Sequence, residues 1–90
     1  MARINIPTLL RHLTNNYELI DISGSTAKVA ILNLVVKYPL LRPFLLCENQ
    51  EISNFVNIYL NNHDIRFLSA SDTKITEMDS ITIIPAMAGG

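Results

Sequence analysis

The sequence predicts an α+β domain, one main helix on one face of a mixed sheet of about five strands, and three observations carry that expectation. Apolar and polar residues alternate near the start, in Arg3-Ile4-Asn5-Ile6, and near the end, in Ser80-Ile81-Thr82-Ile83-Ile84. One stretch of helical period, residues 26–37, lies between them, opened by capping residues and stopped by proline. The chain has 90 residues, 49% hydrophobic and 17% charged. That is enough for a single domain with a modest core, and too apolar for a disordered chain.

The first strand ends at Pro7, which has no N–H to give a ladder. Asn15-Asn16 is a turn signal, and Tyr17-Glu18-Leu19-Ile20-Asp21-Ile22 follows with Ile20 and Ile22 on one face. The two strands read as a hairpin with a long connection through residues 8–14. Gly24 breaks the chain and Ser25 is expected to cap the helix. At 100° per residue, Ala27, Ala30, Ile31, Leu34 and Tyr38 form the core stripe. Val29, Leu32 and Val36 cluster opposite, to be covered by residues 40–47 or by another protein. Residues 40–47 read as a short helical turn packed on the core, and residues 48–54 as a loop. Phe55-Val56-Asn57-Ile58-Tyr59-Leu60 is the clearest strand: Val56, Ile58 and Leu60 point one way, Phe55, Asn57 and Tyr59 the other. Asn61-Asn62-His63 turns the chain into a short strand, Ile65-Arg66-Phe67, and residues 69–79 are loop-like. In this order the first and last strands can lie side by side in the sheet centre, which is the ubiquitin-like β-grasp.

Composition excludes several classes. Net charge is −1 with no basic block, which speaks against nucleic acid. The longest apolar runs are four residues, far short of a membrane span. The single cysteine, Cys47, forms no internal disulfide, fits a reducing cytoplasm and is expected to be a small buried hydrophobe. His12 and His63 stand apart, without Cys or carboxylates at ligand spacing, so no metal site is expected. No glycine-rich phosphate loop is present.

Two of the three glycines are Gly89 and Gly90, after Pro85-Ala86-Met87-Ala88. Residues 1–85 are expected to be the β-grasp domain and residues 86–90 a flexible reactive tail. Residues without Cβ enter a narrow channel and leave the carbonyl open to attack. A frayed end of small residues is the alternative.

The chain resembles the ThiS/MoaD family of ubiquitin-like sulfur carriers, most nearly its cysteine-biosynthesis (CysO-type) branch. The residues that carry the resemblance are Ile6-Pro7-Thr8-Leu9-Leu10-Arg11, Phe55-Val56-Asn57-Ile58-Tyr59-Leu60-Asn61, Asp64-Ile65-Arg66-Phe67 and, most specifically, Ile81 through Gly90. Asn61-Asn62-His63 and Met78-Asp79-Ser80 stand where relatives turn on glycine; Asn and Asp tolerate the positive φ such turns require.

The resemblance implies that an E1-like adenylating enzyme, using ATP and Mg, activates the Gly90 carboxylate. Sulfide or a sulfur-transferring enzyme then makes it a thiocarboxylate. In the cysteine branch a pyridoxal-phosphate-dependent cysteine synthase receives the sulfur and a zinc-dependent JAMM-type peptidase regenerates the carrier. The chain itself binds no cofactor and has no catalytic residue; Gly90 reacts, with Gly89, Ala88 and Met87 as its tail. Two alternatives share the activated terminus. One is the small subunit of molybdopterin synthase, docked on the large subunit. The other is a protein modifier that forms isopeptide bonds through Gly90. A sheet covered on one face leaves the other free, so Phe55, Tyr59, Arg66 and Ile84 are the expected docking residues.

Overall fold

A computed structural model describes residues 1–85. Strands β1 (Ala2–Asn5), β2 (Leu19–Ile22), β3 (Val56–Leu60), β4 (His63–Asp64) and β5 (Ser80–Pro85) form one sheet in the order β2-β1-β5-β3-β4. Parallel β1 and β5 occupy the centre, with Ile4 beside Ile81 and Asn5 beside Thr82. The other pairings are antiparallel. Helix α1 (Ala27–Lys37) packs on one face, followed by a 3₁₀ turn at Pro39–Leu41 and the short α2 (Arg42–Leu45). This is the ubiquitin-like β-grasp.

The period-two pattern sorts the side chains. Ile4, Ile20, Ile22, Val56, Ile58, Ile81 and Ile83 are buried beneath α1, together with its Ala30, Ile31 and Leu34. Leu41, Leu45 and Leu46 close the core from the segment after α1. Two asparagine pairs make the turns without glycine: Asn15 and Asn16 have φ of 55° and 65°, Asn61 and Asn62 of 49° and 77°. Asp79 does not have positive φ. Its turn closes because its carboxylate accepts from Thr76 N–H and from the Asn61 amide, while Asn61 Oδ1 accepts from Ser80 N–H.

Several expectations are corrected. Thr26, not Ser25, caps α1, its hydroxyl accepting from Val29 N–H. The buried stripe takes in Val35, and Tyr38 is only partly buried, because α1 ends at Lys37 and Tyr38 leaves helical geometry. Of the opposite stripe, Leu32 is partly buried against the core, whereas Val29 and Val36 are exposed, Val36 by 76%, so residues 40–47 leave those two open. The connection through residues 8–14 holds a 3₁₀ helix, Thr8–Leu13, and residues 69–79 hold a 3₁₀ turn at Ala70–Asp72. Ile65–Phe67 is a 3₁₀ turn and not a strand; the Asp64 carboxylate accepts from Arg66 N–H and coils the chain after two paired residues. Cys47 is exposed, since Leu46 takes the buried place before the chain turns outward.

Candidate functional site

Gly90, Gly89, Ala88 and Met87 lie outside the described residues. What is described is the end of the sheet that leads to them, and the face beside it.

Residues paired across neighbouring strands point to the same side of a sheet. Tyr59 faces Thr82 on one side and Asp64 on the other; Asn57 faces Ile84. Their neighbours Val56, Ile58, Ile81 and Ile83 turn into the core, so these side chains lie on the face away from α1. Ile84 is exposed there and Tyr59 half-buried. Arg66 reaches the same face through Asp64: its Nε and Nη2 donate to Asp64 Oδ2 at 3.0 and 2.6 Å. The guanidinium stays largely exposed while the carboxylate beneath it is buried. Tyr59, Arg66 and Ile84 are thus brought to one face.

Phe55 is not among them. β3 begins at Val56, and Phe55 N–H is drawn to the Ser53 hydroxyl before regular pairing starts. Its ring instead joins Leu9, Pro43, Phe44 and Pro85 around a small apolar cleft floored by Leu10 and Val56. Sequence reasoning did not mark Leu9, Pro43 or Phe44 as docking residues. The signal available was an apolar residue at Leu9, two positions after the strand-ending Pro7, where polar loop residues are the norm.

The charged groups here are held in fixed states. Asp64 is kept below the ordinary carboxylate range, first by the Arg66 side chain and next by the Arg66 backbone N–H. The partner Arg66 is raised in turn, chiefly by the same side-chain hydrogen bond. Asp79 is lowered mainly by the Thr76 backbone N–H and then by the Asn61 amide. A carboxyl depressed in the fold takes its proton first in the unfolded chain, so acid shifts the balance toward unfolding. The melting temperature is therefore expected to hold steady from about pH 8 to about pH 5 and to fall once pH drops below about 4. Asp64→Asn and Asp79→Asn should each flatten that acid fall in a circular-dichroism melt series. A melting temperature that rose below pH 4 would contradict the assignment.

Among the described residues, no group of three or more His, Cys, Asp or Glu side chains is placed to hold a metal ion. No helix there is long and apolar enough to cross a membrane. His12 and His63 are both exposed.

A family profile described as the ThiS family matches residues 4–90. The chain is 37% identical over 89 residues to the sulfur carrier protein CysO of Mycobacterium tuberculosis (strain ATCC 25618 / H37Rv), covering 97% of this chain and 96% of that protein. Among solved structures, a chain of the Amycolatopsis orientalis BexX/CysO complex superposes with a TM-score of 0.89 at 29% identity, covering all of both chains. Small archaeal modifier protein 1 of Methanosarcina acetivorans superposes with a TM-score of 0.88 at 25% identity, over 99% of this chain and 95% of that one.

Proposed function

The chain belongs to the ThiS family, and on that premise we propose that it is a sulfur carrier whose Gly90 carboxylate is the reacting group. The observation that carries this reading is that the family match runs through Gly90 itself, taking in the Gly-Gly pair after β5. A carboxylate oxygen is a poor leaving group. Attack of the Gly90 carboxylate on the α-phosphorus of ATP releases pyrophosphate and gives an acyl adenylate. Sulfide adds to the acyl carbon, AMP departs with the bonding electrons, and a thiocarboxylate remains. An E1-like enzyme supplies ATP, Mg and the catalytic groups; this chain supplies the terminus and the surface by which it is recognised.

The sulfur's destination is read as cysteine synthesis, supported by the likeness to CysO over nearly the whole chain. The receiving enzyme is then a pyridoxal-phosphate-dependent synthase, with a zinc-dependent JAMM-type peptidase downstream. A second reading, attachment of Gly90 to lysines of other proteins, is supported by the likeness to a small archaeal modifier protein. Pyrophosphate exchange tests the shared step: the E1-like enzyme of the same organism should exchange labelled pyrophosphate into ATP only when this chain is present. Feeding the thiocarboxylate to the synthase or to a molybdopterin synthase large subunit, or the chain with its E1-like enzyme and Mg-ATP to a lysate, where a lysine amine displaces AMP from the acyl adenylate, separates the destinations. They yield, respectively, a cysteine adduct, a sulfurated pterin, or the chain on protein lysines.

The face that carries Ile84 is the proposed docking surface, with Tyr59 and Arg66. Ile84→Asp is expected to weaken binding to the E1-like enzyme about tenfold or more, about 1.4 kcal/mol. Because Ile84 is exposed, the melting temperature should hardly move. Unchanged binding with a large loss of stability would instead place Ile84 among the groups that hold the fold.

A further inference from the structure

We propose that the apolar cleft of Leu9, Pro43, Phe44, Phe55 and Pro85 receives an apolar side chain from the mouth of the enzyme channel that takes in Gly90. This rests on the reading of Gly90 as the reacting residue. The cleft holds about 100 Å³, room for one side chain, and lies apart from the sheet-face residues Tyr59 and Arg66.

Four separate parts of the chain build it, and the fold brings them to one end. Parallel β1 and β5 run toward the same end; β1 stops at Asn5, opposite Thr82, β5 goes on to Pro85, and the 3₁₀ helix capped by Pro7 carries Leu9 to the cleft beside Pro85. β3 starts at the same end, where Val56 pairs with Pro85, and this carries Phe55 alongside. Helix α2 brings Pro43 and Phe44 from the other side. Leu9, Phe44 and Phe55 are 59%, 44% and 67% exposed. Exposed apolar side chains gathered around one concavity are the anatomy of a binding hot spot rather than of ordinary surface.

Pro85 says what must cover the cleft. It is a wall residue of the cleft and also the residue from which the tail departs. From Pro85 to Gly90 is five residues, and five fully extended residues span at most about 18 Å. That reach is shorter than the domain itself, whose smallest extent is 24 Å. An enzyme acting on the Gly90 carbonyl inside a channel therefore has to bring the channel mouth against the end of the sheet where the tail begins. The cleft is there, it is apolar and uncharged, and two prolines stiffen its walls. An aliphatic or aromatic side chain on the rim fits it; a charged one is left without a partner.

Steady-state pyrophosphate exchange with the E1-like enzyme of the same organism tests this with four probes. They are the wild-type chain, Leu9→Ser, Phe44→Asp and a synthetic peptide of residues 85–90. Val36→Lys, on the outer face of α1, serves as the control. The expected result is a KM raised about tenfold or more for Leu9→Ser, Phe44→Asp and the peptide, with kcat within about twofold of wild type, the pattern of lost binding without lost chemistry. Thermal melts confirm that each variant is folded, and Leu9→Ser, the milder change, stands if Phe44→Asp is not. Equal KM values for the wild-type chain and both cleft variants overturn the cleft proposal while the carrier reading stands, whatever the peptide shows, because the peptide also lacks the sheet face of Tyr59, Arg66 and Ile84. Absence of exchange with the wild-type chain overturns both.

Discussion

Deleting Gly90 is expected to abolish a mass gain of about 16 Da that the full chain should acquire on incubation with its E1-like enzyme, Mg-ATP and sulfide. That gain is oxygen replaced by sulfur at one carboxyl, and it is counted only where it requires Mg-ATP, since oxidation of Met1, Met78 or Met87 adds the same nominal mass without it. The truncated chain still ends in a glycine carboxylate, that of Gly89. What it loses is reach, one residue of about 3.5 Å, and catalysis tolerates far smaller displacements of a reacting atom. The fold should be unaffected. The core closes with Ile81 and Ile83, and the last ladder pair is Pro85 with Val56, so circular-dichroism melts of the two chains should coincide. Gly90→Ala is the finer probe. It restores length but adds a Cβ beside the carbonyl that must be attacked. Conversion slowed by orders of magnitude there, at normal binding, would show that the channel needs the absent side chain. Retention of the full mass gain in the deletion would end the carrier reading.

How much of this was legible in the sequence varies from one residue to the next. Period-two alternation sorted Ile20 with Ile22 and Val56 with Ile58 correctly, because a half-buried strand writes its two faces directly into residue order. The same alternation misled at Ile65-Arg66-Phe67. There the deciding interaction is local, an aspartate carboxylate catching a backbone N–H two residues on, and hydropathy carries no trace of it. Phe55 shares parity with Tyr59, yet parity means nothing before the ladder begins, and the strand starts one residue later. Of the expected docking residues, Tyr59, Arg66 and Ile84 come together because sheet register assembles them. The cleft was beyond reach of the sequence: Leu9 stands 35 positions before Phe44 and Phe44 eleven before Phe55, and they meet only through the pairing of β5 with β1 and β3 and the placement of α2. Cys47 was misplaced for a related reason, since whether Leu46 or its neighbour turns inward depends on where α2 stops.

Gly24→Ala is expected to lower the stability of the fold by about 2–3 kcal/mol, the largest loss foreseen for a single added methyl group. As a sequence feature Gly24 reads as a chain breaker, and its use in the fold is different. It does not have positive φ, so the backbone at this position is one that alanine adopts freely. The obstacle is α1. A Cβ on residue 24 would stand 2.7 Å from the Ala30 nitrogen and 2.8 Å from its Cα, with the Ala30 Cβ at 3.1 Å. Backbone atoms in a hydrogen-bonded helix cannot rotate aside as a long side chain does, so relief requires the strand end and α1 to separate. Ala27, Ala30, Ile31 and Leu34 are fully buried on that helix, and a shift of the whole element loosens all of their contacts with the sheet. For a domain of this size the loss corresponds to a fall of roughly 10–20 °C in melting temperature. The double variant Gly24→Ala with Ala30→Gly tests the cause. It removes only the 3.1 Å contact and leaves both backbone contacts, so it should recover little, whereas a clash between the two methyl groups alone would be relieved almost completely. Since the tail leaves from β5 and not from α1, the Gly24→Ala chain, kept below its melting temperature, should still acquire sulfur at Gly90. A melt within about 1 °C of wild type would show that the approach of α1 to this turn is looser than the backbone distances require.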